Sequence, residues 1–132
     1  MRCSVAFNVD IVAVATANTF FRRVLSTGPN AQVVVMCIPS GGEIGEEIHQ
    51  HTDQVLAFVE GAGIAIVGGE ESPVGPDCLV HVPAGVRHNF VNSGPGYLRL
   101  YTVYAPPEHA PGTIHRTKAE ADADEADHFV QA

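Results

Sequence analysis

The chain has 132 residues, a length that suits one domain with a buried hydrophobic core and falls short of two. Its formal charge of −8 comes with no basic cluster that would meet a nucleic-acid backbone or an anionic membrane surface, so neither is expected as a partner. No apolar run reaches the length of a spanning helix and the opening "MRCSVAFNVDIVAVATANTFF" shows no convincing cleavage site, so neither a spanning helix nor a signal peptide is expected and the cytoplasm is the expected location.

In chain order, "DIVAVATAN" at 10–18 reads as the one short helix, with Asp10 as its N-cap and Asn18 near its stop. Strand signals begin at Phe20 and recur as short β-branched and aromatic runs: "AQVVVMCI" at 31–38, "VLAFV" at 55–59 and "IAIV" at 64–67. "CLVHV" at 78–82, "VRHNFV" at 86–91 and "YLRLYTVY" at 97–104 follow. Turn clusters separate them, "GGEESPVGPD" among these. Six or more short strands and one helix make a compact antiparallel barrel the economical architecture.

The cysteines, Cys3, Cys37 and Cys78, are odd in number and have no C-x-x-C spacing, so they read as buried free thiols. The end of the chain, "EADADEADHFVQA" from Glu120, carries five of the fifteen acidic residues and reads as a solvated acidic tail, 119–132, after a barrel spanning 1–118. Met36, Phe58, Phe90, Tyr101 and Tyr104 are expected in the core.

The chemistry concentrates in "EIHQHTDQ" at 47–54. On an extended strand, Glu47, His49 and His51 share one face. Gln54 has the opposite parity and joins them only if the chain turns near His51, Thr52 and Asp53. Parity alone leaves all three same-face donors open as metal ligands.

The same region resembles the first motif of the cupin superfamily, G-x5-H-x-H-x3-4-E-x6-G. Taking His49 and His51 as the H-x-H pair leaves Gln54 too close and puts Glu43 where the opening glycine belongs. Taking Glu47 and His49 brings Gly41, Gln54 and Gly61 into register without gaps. The second motif, G-x5-P-x-G-x2-H-x3-N, is matched at Pro83, Gly85, His88 and Asn92, while its opening glycine is replaced by Asp77. More narrowly, the chain is similar to small bacterial RmlC-like cupins labelled mannose-6-phosphate isomerase-like, whose motifs run E-x-H-x3-D-Q and Y-A-P-P-x-H-x2-G-T-x-H-x-T-K. The residues that carry this likeness are Glu47, His49, Asp53, Gln54 and His88, then Pro106, Pro107, His109, Gly112, Thr113, His115, Thr117 and Lys118. An arginine common in that group after Gln54 is absent from "VLAFV".

The resemblance implies an all-β double-stranded β-helix, the cupin jelly-roll barrel, assembled as a homodimer, with one divalent metal held by Glu47, His49, Gln54 and His88. His51 stays open as a direct ligand or a rim residue. Two imidazoles, a carboxylate and an amide oxygen suit Mn, Fe, Co, Ni or Zn, and the neutral Gln54 favours anionic oxygen ligands. The expected function is a metal-dependent enzyme of isomerase, lyase or dioxygenase type acting on a small polar oxygen-bearing metabolite, with no catalytic residue assigned. The alternatives are a non-catalytic small-molecule-binding or sensor protein and a purely structural barrel. Asp53 is expected at a turn or behind the ligands, His81 bonded to backbone, and His109 and His115 at the surface or a dimer contact rather than at the barrel mouth.

Overall fold

The structure, a computed structural model, describes residues 6–130. It opens with helix α1 (Ile11–Ala17), whose N-cap Asp10 accepts from the Ala13 N–H at 3.1 Å and whose C-cap is Asn18. The β-branched content of this segment is offset by capping and by packing on strands, since α1 lies on the six-stranded sheet with Ala15 buried beneath it.

Nine strands follow: β1 (Arg22–Thr27), β2 (Gln32–Ile38), β3 (Asp53–Glu60), β4 (Gly63–Val67), β5 (Glu70–Val74), β6 (Leu79–Val82), β7 (His88–Asn92), β8 (Leu98–Ala105) and β9 (Ile114–His115). A second helix, α2 (Lys118–Ala123), is capped by Thr117, which accepts from the Glu120 N–H. The strands form a six-stranded sheet, β6-β3-β8-β2-β1-β9, and a three-stranded sheet, β5-β4-β7, both antiparallel. Segment 43–47 continues the small sheet through bridges from Glu43 to Val91 and from Glu47 to His88. This is the jelly-roll barrel, with both sheets facing one core.

Strand alternation sets the core. Along β8 the residues Leu98, Leu100, Thr102 and Tyr104 are buried, and β3 contributes Gln54, Leu56 and Phe58 on the same principle. Met36, Phe90, Ile38 and Val34 complete the centre. Each such aliphatic side chain stabilises the fold by roughly 2 kcal/mol on burial. Tyr101, expected in the core, has the other parity and sits half-buried on the outer face beside Val33 and Val103. Cys37 is a buried free thiol whose pKa burial pushes up, whereas Cys78 is only partly buried and Cys3 lies outside the described residues.

Three further departures have physical reasons. β5, "EESPV", was expected as part of a turn, but a short edge strand tolerates Pro73 because only one neighbour needs its hydrogen bonds. β3 starts at Asp53 rather than Val55, its polar first residues being held by pairing with β6 and β8. Asp77 adopts φ +72°, the left-handed backbone that the missing glycine would have supplied, so the turn geometry of the second motif survives the substitution. At Gly61 the glycine is needed: φ is +94° and an added Cβ would run into the Tyr97 carbonyl.

Candidate metal centre

Glu47, His49 and His88 come together inside the barrel, their ligand atoms all within 4.8 Å of one another. The Glu47–His88 bridge makes this possible, with reciprocal backbone hydrogen bonds of 2.9 Å locking the two residues side by side. His49 is anchored next to them by its carbonyl, which accepts from the Gly85 N–H at 2.7 Å. The motif glycine Gly85, at φ +84°, turns that N–H inward.

The continuous strand expected for 47–51 does not form. The chain bends at Gln50 and His51, which leaves His51 exposed and outside the cluster. The same bend resets the parity, so Gln54 enters β3 pointing into the barrel, 2% exposed, opposite Tyr104 and Val82. Its Nε2 donates to Thr102 Oγ1 at 3.1 Å and its Oε1 has no partner. Gln54 therefore presents a bare carbonyl oxygen to the interior.

Both histidines are tied at Nδ1 and bare at Nε2. His88 Nδ1 meets the Val86 carbonyl at 2.9 Å, and His49 Nδ1 meets Glu108 Oε1 at 3.1 Å. Both Nε2 atoms are buried without a partner. An acceptor at Nδ1 fixes the tautomer that leaves the Nε2 lone pair free, the arrangement found behind metal-bound imidazoles. Unpartnered buried polar atoms are rare and call for an explanation. Two imidazole nitrogens and a carboxylate brought together provide it, with the bare Gln54 oxygen also buried inside the barrel, so the residues present fit a divalent transition metal.

Burial disfavours a charged His49, but the Glu108 hydrogen bond and the Glu47 and Glu108 charges outweigh it and raise its pKa. Glu108 is held below the usual carboxylate range despite burial, chiefly by that same hydrogen bond. The Tyr104 hydroxyl is pushed far above the ordinary tyrosine range by burial and stays protonated beside the centre.

The C-terminal segment closes this end of the barrel instead of dangling in solvent. Gln32, fully buried at the start of β2, clamps it: Oε1 accepts from the His109 N–H at 3.0 Å and Nε2 donates to the His109 carbonyl at 2.8 Å. His109 Nδ1 pairs with Asp127 Oδ2 at 2.7 Å, and Asp127 also accepts from the Ala110 N–H and the Thr113 hydroxyl. Burial lowers the His109 pKa in spite of Asp127, so the imidazole is neutral with its Nε2 buried and bare. The Asp127 carboxyl, though burial opposes its charge, is lowered to about 2 by these donors. His115 Nε2 pairs with Asp124 Oδ2 at 2.9 Å. Thus His109 and His115, expected at the surface or a dimer contact, are buried within the chain, and the acidic tail, though most of its residues are exposed, folds back as a strap through Asp124 and Asp127. Asp53 and His81 pair with each other at 3.1 Å on the outside, where the Ala84 N–H at 2.9 Å is the main cause lowering the Asp53 pKa.

A cavity of about 540 Å³ lies between barrel and strap, lined by Glu47, His49, Glu108, His109, Asp127 and Arg22 among others. Sequence reading missed Arg22, Glu108 and Asp127, which line it, and Gln32, which clamps the strap. The one available signal was Gln32, an amide opening an otherwise apolar strand.

A family model described as "Cupin domain" matches residues 34–104. The chain belongs to the cupin family. Among relatives, this cupin is 41% identical over 125 residues to the uncharacterised protein YrkC of Bacillus subtilis, covering 90% of the chain and 67% of that protein. It is 37% identical over 102 residues to the uncharacterised protein L612 of Acanthamoeba polyphaga mimivirus, covering 74% of the chain and 63% of that protein. The cupin therefore spans about two thirds of the length of these two relatives. The crystal structure of BH2720 from Bacillus halodurans superimposes with a TM-score of 0.88 at 43% identity, covering 89% of this cupin and 94% of that chain. No described helix is long and apolar enough to cross a membrane.

Proposed function

We propose that this cupin is a metal-dependent enzyme acting on a small oxygen-bearing metabolite, with a single Mn, Fe, Co, Ni or Zn ion held by Glu47, His49, His88 and Gln54. The observation that carries the reading is the pair of buried Nε2 atoms of His49 and His88, each bare because its Nδ1 is already engaged, converging with Glu47. A bound metal would supply Lewis-acid polarisation of a substrate oxygen, and four protein donors leave it positions for that oxygen.

The protein's own residues then divide the work. The strap forms one side of the cavity, while Tyr104, with its hydroxyl protonated, packs edge-on against His49 and His109. His109, neutral with Nδ1 held by Asp127, has a free Nε2 lone pair that can accept a proton. Isomerase, lyase and dioxygenase chemistries all use these parts. Metal analysis of untagged protein tests the reading: about one transition-metal ion per chain is expected, lost in His88→Ala, and metal content unchanged by that substitution refutes it. We further propose a homodimer covering Phe7, Val9 and Val12, three exposed apolar side chains, to be checked by light scattering.

A further inference from the structure

Arg22, the first residue of β1, sits in the cavity wall opposite His115 and is only 6% exposed. A guanidinium does not lose its proton in a protein, and a buried unpaired charge costs several kcal/mol, so such an arginine ordinarily faces a carboxylate. Arg22 has no ion-pair partner among the described residues. Most acids of the cavity wall are engaged elsewhere, Glu108 with His49, Asp127 with His109, Asp124 with His115, Asp122 with Lys118 and Glu46 with Arg87, while Glu43 and Glu47 form no ion pair with Arg22.

The neighbours of the guanidinium are neutral groups, the Tyr104 hydroxyl among them. Nη1 lies 3.4 Å from His115 Nδ1, whose ring uses its Nε2 proton on Asp124, and the Phe21 ring lies 5.3 Å from Cζ. Nε is buried with no partner. That leaves the Nε–H of the planar fork bare, one of the donors by which an arginine receives a carboxylate. Its positive charge also weighs on His49, His109 and Tyr104, which places it among the residues of the candidate centre.

We propose that Arg22 is the anchor for the carboxylate of a small monoanionic acid, whose second oxygen function reaches the Glu47–His49–His88 centre across the same cavity. This rests on the metal-dependent reading for the second attachment and not for the first. A carboxylate is favoured over a phosphate dianion because a single unpaired guanidinium stands in a wall otherwise rich in Glu and Asp. His115 is a positioning residue, holding Nη1 so that Nε stays free.

The test titrates glycolate, 3-hydroxypropionate and 4-hydroxybutyrate, each against its neutral amide, into zinc-loaded and metal-stripped full chain by calorimetry. At least one acid should bind more than tenfold tighter than its amide. Arg22→Gln should erase that preference while zinc uptake stays the same, and Arg22→Lys should keep part of it. In the wild-type protein, the Arg22 Nε–H resonance should shift with the acid and not with the amide, which keeps the test valid if Arg22→Gln fails to fold. Failure of all three acids to bind at millimolar concentration, an unmoved Nε–H resonance, or an undiminished preference in Arg22→Gln overturns the proposal. So does inorganic phosphate outcompeting the acids in an Arg22-dependent way. If wild-type protein takes up no zinc, the metal reading falls, and the resonance shift in the stripped protein still decides the role of Arg22.

Discussion

Two regions build the candidate centre and its surroundings, and they hold their histidines differently. The barrel presents His88 through backbone geometry: its Nδ1 meets a main-chain carbonyl and its own backbone is bridged to Glu47. The strap presents His109 through a carboxylate, with Asp127 at 2.7 Å. His49 is where they meet, a barrel residue whose Nδ1 is engaged by Glu108 of the strap. The barrel half is thus set by hydrogen bonds that do not titrate, and the strap half by histidine–carboxylate contacts that do. Ligand positions should survive changes that loosen the strap.

The largest expected effect lies in the barrel. His49→Ala or Glu47→Ala should lower metal affinity by tenfold or more, read by competition with a fluorescent chelator, with circular dichroism unchanged. His51→Ala should leave affinity within twofold, because that side chain is exposed and outside the cluster. A large loss in His51→Ala with none in Glu47→Ala would reverse the ligand assignment.

On the strap side, Asp127→Ala removes a buried acceptor of three hydrogen bonds and should cost about 3 kcal/mol in urea unfolding. Metal affinity should fall far less than in His49→Ala, since Asp127 touches none of the ligands. Equal losses would erase the distinction between the two regions.

Acid provides a milder way to the same contrast. The Asp127 carboxyl is lowered from 3.8 to about 2. A depressed carboxylate contributes stability that is full above its unfolded value and is lost as pH falls through the folded one. Between about pH 4 and pH 2, wild-type protein should therefore lose about 2 kcal/mol more than Asp127→Asn, measured by urea titration at each pH. The smallest effect is expected at the second-motif turn. Asp77→Gly should change stability by less than about 1 kcal/mol, whereas Asp77→Val, β-branched at positive φ, should cost more.

The barrel half was legible because its rules are local. Of the side chains expected in the core, Met36, Phe58, Phe90 and Tyr104 are buried and Tyr101 is not, and motif spacing paired Glu47 with His49 and His88 although parity favoured His51 as well. Parity failed there because a bend at Gln50 and His51 has no strong signature: neither residue is glycine or proline. The strap was illegible for a different reason. An acidic run reads the same whether it is solvated or folded back, and only the tertiary course brings Asp124 and Asp127 to His115 and His109. Gln32 and Arg22 were hidden likewise, since their partners lie some 77 and 93 positions away.

Pro73 carries one more implication. β5 is the rim of the small sheet, a place where a passing strand of another molecule could dock and seed fibres. Proline there withholds an N–H from any such visitor, and Glu70 and Glu71 on the same exposed strand repel acidic copies of the chain. The barrel thus guards one side against edge-to-edge stacking through chemistry that costs its interior nothing.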